Sequence, residues 1–103
     1  MSIENTLLTT SALDIFQSTT ETAVTAVFIT NYSTSANASL NVWLVKSGDT
    51  ASSTNKIYSN VTVTAGNTFT ITGSRIILDN GDAIQANANT NNLLTASVSY
   101  TQI

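Results

Sequence analysis

From Leu94 to Thr101 two kinds of side chain alternate without a break: Leu94, Ala96, Val98 and Tyr100 interleave with Thr95, Ser97, Ser99 and Thr101. A period of two puts every apolar group on one face of an extended strand and every hydroxyl on the other. A helix would scatter the same residues around its circumference. The pattern recurs in Val61 and Val63 against Thr62 and Thr64, in Phe69 and Ile71 against Thr68, Thr70 and Thr72, and in Ile84, Ala86 and Ala88 against Gln85, Asn87 and Asn89. Two stretches are apolar on both faces: Leu40 to Val45, and Ala23 to Tyr32 around Val27, Phe28 and Ile29. Strands of that kind are inner or interface strands.

The punctuation between these runs is regular. Loops are expected at Ser33–Asn37, Ser47–Asn55 and Asn89–Asn92, a short hairpin turn at Ala65-Gly66-Asn67, and a turn at Asp79-Asn80-Gly81-Asp82. Its Asn-Gly pair favours a type I′ geometry between strands. Residues 1–22 are less regular. Leu7-Leu8 and Leu13–Phe16 read as two short strands, with a helical turn over Ser11–Phe16 as the competing reading. This segment is an N-terminal arm or a set of edge strands. The whole, residues 1–103, is a single domain of all-β class: an antiparallel β-sandwich, jelly-roll-like or immunoglobulin-like, of about eight strands. Composition agrees, because Thr, Ser and Asn supply 44 of 103 residues. Thr suits a pleated surface, and Ser and Asn suit turns.

The same composition narrows the chemistry. The chain has no His, Cys or Pro. A Ser or Thr nucleophile therefore lacks its usual base, and a transition metal lacks its usual ligands. A Ser–Lys pair would have to use Lys46 or Lys56, which flank a polar loop where a solvated charge is the ordinary role. Asp79 and Asp82 are the close carboxylate pair, and Asp-Asn-Gly-Asp is foremost a turn sequence. A Ca²⁺ site there would need Asp49 or backbone carbonyls from another loop. The expectation is no enzyme, no cofactor and no metal. Three sequons, at Asn31, Asn37 and Asn60, are expected by chance in so Asn-, Ser- and Thr-rich a chain.

A net charge of −3, with Lys46, Lys56 and Arg75 far apart in sequence, suits neither a phosphate backbone nor a membrane surface. No apolar run is long enough to cross a membrane as a helix, and Met1–Asn5 does not read as a signal peptide. Four aromatics are interface candidates. Trp43, among Leu40, Val42, Leu44 and Val45, reads as core or subunit interface ahead of a carbohydrate-stacking ring. Tyr32, Tyr58 and Tyr100 are interface contacts or caps on the ends of the sandwich.

One sequence pattern points further. A β-rich segment ending in Asn (Ala23–Asn31), a strand of the form Leu40-Asn41-Val42-Trp43-Leu44-Val45, a Ser/Gly/Thr loop, the segment Asn55–Tyr58, the run Ile77-Leu78-Asp79-Asn80-Gly81-Asp82-Ala83-Ile84-Gln85-Ala86 and the final Ala96–Tyr100 strand follow in order. From about Thr22 to Ile103 the chain thereby resembles a group of small tailed-bacteriophage virion structural proteins. Members of that group commonly begin with a Pro-containing segment, which this chain lacks. The resemblance implies a non-enzymatic role as a capsid decoration or cement subunit, the alternative being a tail, neck or baseplate accessory or a receptor- or glycan-binding module. Strand edges that lack Pro and carry few charges are expected to pair or be covered, so the expected partners are the chain itself, as a homo-oligomer with a trimer the closed-symmetry default, and the major capsid protein or other virion proteins. The implied location is the virion, assembled in the host cytoplasm.

Overall fold

The computed structural model describes residues 2–103, apart from the side chains of residues 73–75. Among the described residues there are eight strands and no helix. They form two four-stranded sheets in which every pair is antiparallel. The front sheet runs β1 (Ser2–Leu7), β8 (Leu94–Gln102), β3 (Thr22–Asn31), β6 (Thr68–Leu78). The back sheet runs β2 (Leu13–Gln17), β7 (Ala83–Ala88), β4 (Ala38–Val45), β5 (Lys56–Val63). Every connection except β4–β5 crosses from one sheet to the other. This is the order of a jelly roll. An immunoglobulin-type sandwich would instead seat several chain-consecutive strands side by side. The N-terminal segment forms β1 and β2: Leu13–Phe16 lies in β2 as expected, the first strand runs over Ser2–Leu7 and not over Leu7-Leu8, and no helical turn forms over Ser11–Phe16.

The core lies between the sheets. Val24, Val27, Ile29, Leu94, Ala96 and Val98 face it from the front, and Leu40, Val42, Ile84, Ala86 and Ala88 from the back. A bulge explains why Ala23–Tyr32 looked apolar on both faces. Both ladders of β3 shift register between Val24 and Ala26, leaving Thr25 as the extra residue opposite β8. The inward phase therefore changes along the strand, from Thr22 and Val24 to Val27, Ile29 and Asn31.

Two turns differ from expectation. Gly81 has φ 91°, and Asp82 N–H donates to Asp79 O at 3.0 Å. Asn80 is not among the positive-φ residues, so the turn has the type II pattern and not type I′. Thr64–Asn67 is built alike, with Gly66 at φ 78° and a 3.0 Å bond from Asn67 N–H to Thr64 O. Type I′ matches the twist of a hairpin. Neither turn closes a hairpin, because β5 and β6, and β6 and β7, lie in opposite sheets.

Candidate interaction surface

The outer face of the front sheet follows from the registers. Leu7, Thr95, Thr30 and Thr68 form one row across β1, β8, β3 and β6. Asn5, Ser97, Phe28 and Thr70 form the next, and Ile3, Ser99, Ala26 and Thr72 the one after. Thr101, Ala23 and Ile77 follow. No described side chain in these rows is charged. The hydroxyls and amides are tied sideways: Thr30 and Thr68 at 3.0 Å, Ser97 Oγ donating to Asn5 Oδ1 at 2.7 Å, and Thr25 Oγ1 donating to Ser99 Oγ at 2.9 Å. Above this carpet stand Ile3, Leu7, Phe28 and Ile77, four of the seven large hydrophobic residues that are exposed among the described residues. Nothing in the sequence reading singled out these four. The available signal was phase: each falls in register with the hydroxylated face, not the core face.

The aromatics named from the sequence do not come together. Trp43 lies on the outer face of the back sheet, in a cross-strand row Asp14, Gln85, Trp43, Lys56. Gln85 Nε2 donates to Asp14 Oδ1 at 2.8 Å, and the Lys56 ammonium sits 5.4 Å from the Trp43 ring centroid. The ring is only 8% exposed, which leaves little of it for a partner. Tyr100 packs against Phe16 at 4.3 Å, and Tyr58 meets Phe69 edge-on at 5.0 Å. Both are half-buried against the core. Tyr32 alone is well exposed, at the loop end of β3, with its hydroxyl on the Asn92 carbonyl.

The acidic turn has a structural occupation. Asp82 accepts from Ser47 N–H at 3.0 Å with one carboxylate oxygen and from Asp79 N–H at 3.1 Å with the other. Buried Ser18 bonds the Asp79 and Asp82 carbonyls, and Gly81 N–H donates back to Ser18 O at 2.9 Å. Three connections are thereby knotted at one end of the sandwich. No group of three or more His, Cys, Asp or Glu side chains suited to a metal occurs among the described residues. Of the sequons, Asn31 is fully buried and its amide is bonded to Ala36 O and Val63 O. Two shallow apolar depressions flank Leu44 and Ile76: one of about 260 Å³ between the end of β4 and β6, and one of about 290 Å³ that also takes in Ile57 and Tyr58 of β5. Comparison with protein families, with curated proteins and with solved structures finds no match to this chain.

Proposed function

We propose that the chain is a non-enzymatic structural subunit of a virion, a capsid decoration protein that self-associates and attaches to the shell through the outer face of the front sheet. The observation that carries this reading is the placement of Ile3, Leu7, Phe28 and Ile77 on one face without described charges. Each apolar group removed from water contributes roughly 25 cal/mol per Å². The hydroxyls between them form short, adaptable hydrogen bonds that a partner's polar groups can share. The sequence resemblance to small phage virion proteins supports the setting. A jelly roll on its own would not, because one fold serves many functions. Copies arrayed on a shell gain avidity, so each contact need not be strong. The glycan-binding alternative loses its best ring, since Trp43 is covered within its own chain.

The test is co-sedimentation with expanded heads of the phage that encodes the chain. Wild-type protein should pellet with the heads. Phe28→Asp combined with Ile77→Asp should abolish pelleting while shifting stability by no more than about 1 kcal/mol, as exposed positions allow. Wild-type protein that stays in the supernatant, or a double variant that pellets equally well, would overturn the proposal.

A further inference from the structure

We infer that two copies of this chain join through β1, edge to edge, about a two-fold axis passing beside Asn5. The inference rests on the self-associating reading above and specifies its contact. β1 closes one side of the front sheet and pairs only with β8. Leu8 N–H donates to Leu94 O at 2.9 Å, continuing the register that pairs Leu7 with Thr95. Bonded and non-bonded pairs alternate along an antiparallel ladder. Ser2, Glu4 and Thr6 therefore bond toward β8, and Ile3, Asn5 and Leu7 turn their N–H and C=O groups to the open side.

Those three residues are self-complementary. With Asn5 opposite Asn5 of a second copy, Ile3 falls opposite Leu7 and Leu7 opposite Ile3. All three pairs are of the bonded kind, so every open N–H and C=O of the edge finds a partner. The same register sets Ile3 beside Leu7 of the other copy on the outer face, where both are exposed. It sets Glu4, the charged residue of β1, opposite Thr6 and not opposite its own copy.

The other three edges are poorer templates. β2 has five residues and a register shift between Asp14 and Phe16. The ladder of β5 is irregular on both sides of Val42, and that of β6 is irregular opposite Thr25. Such irregularities twist an edge away from pairing, whereas β1 has none. A three-fold ring would have to join unlike edges, so the contact favours a two-fold over the trimer taken as the default. A six-residue edge is small beside the ~800 Å² per partner of a standard interface, so self-association should be micromolar or weaker.

The chain has no cysteine, which makes crosslinking selective. In a bonded pair the Cα atoms are about 5.5 Å apart, within disulfide range. Asn5→Cys should oxidise to a covalent dimer much faster than Thr70→Cys, which is exposed in the same row at the far side of the sheet. In sedimentation equilibrium, Asn5→Pro should weaken self-association about tenfold or more by deleting the two central bonds. It removes an N–H directed at solvent, a site where an edge strand tolerates Pro, so the β1–β8 ladder should survive with an unchanged circular dichroism spectrum. Self-association that Asn5→Pro leaves intact, or equal crosslinking at Thr70, would overturn the two-fold contact alone. A wild-type chain monomeric at millimolar concentration would overturn it together with the self-associating reading.

Discussion

Asn31 is fully buried, and each polar atom of its side chain is tied to a different part of the chain. Its Nδ2 donates to Ala36 O at 2.8 Å and to Val63 O at 2.9 Å, and its Oδ1 accepts from Ser33 N–H at 3.0 Å. Removing one side of a buried hydrogen bond leaves the other unpaired, which costs about 1–3 kcal/mol. Asn31→Leu should therefore lower unfolding stability by roughly 3 kcal/mol in urea titrations, despite the gain in apolar character. Gly81 is constrained in another way. It sits at φ 91°, and a Cβ placed on it would lie 2.5 Å from Ser47 Oγ. Gly81→Ala should cost about 2 kcal/mol through backbone strain and this clash. Adding Ser47→Gly should return only the part owed to the clash, and a double-mutant cycle separates the two. In the sequence the Asp79–Asp82 turn was evident, but its engagement of Ser47 and Ser18 was not. Those contacts join residues 35 and 64 positions apart, and no local pattern encodes such a distance.

At the scale of the element, alternation revealed most strands because a half-buried strand imprints its two environments on its own sequence. It located β7, β8, the β3 and β4 cores, and parts of β5 and β6. It did not reveal which strands are neighbours. Gly66 and Gly81 looked like hairpin glycines because a sharp reversal needs positive φ whether the chain returns alongside itself or crosses to the other sheet. Thr25 shows the converse limit. A bulge resets the phase of β3, so a sequence reader sees a doubly apolar strand where the molecule has an ordinary one-sided strand with one extra residue. Deleting Thr25 should therefore leave Thr22, Val24, Val27, Ile29 and Asn31 in unbroken alternation on the core face, whereas deleting Phe28 shifts the strand by one residue and inverts a whole set of side chains. The Thr25 deletion should keep a cooperative thermal transition, and the Phe28 deletion should lose it. Thr25→Ala, which loses only the exposed bonds to Ser99, should cost about 1 kcal/mol or less. The exposed face of Ile3, Leu7, Phe28 and Ile77 was illegible for a related reason. Its members come from three strands that the fold assembles, and the residues named in advance were aromatics, chosen by type and not by phase.

The whole molecule exposes 5509 Å², close to the ~5,500 Å² expected of a compact monomer of 10.8 kDa. A single copy thus completes its own core, and changes on the outer front face should alter assembly without unfolding the subunit. Folding should nonetheless be slow for a chain of this length. Ser2 pairs with Tyr100 and Thr22 with Gln102, so most of the front sheet awaits contacts between distant segments. Refolding in stopped-flow experiments should take milliseconds to seconds, as for other proteins dominated by non-local pairing. With no Pro in the chain, the slow phase of about 10–100 s that prolyl isomerisation produces should be missing. The single Trp makes these measurements selective. Trp43 lies under Lys56 on the back sheet, on the side of the molecule away from β1 and the front face. Its intrinsic fluorescence is a built-in reporter that should shift to the red on unfolding and stay silent when subunits join.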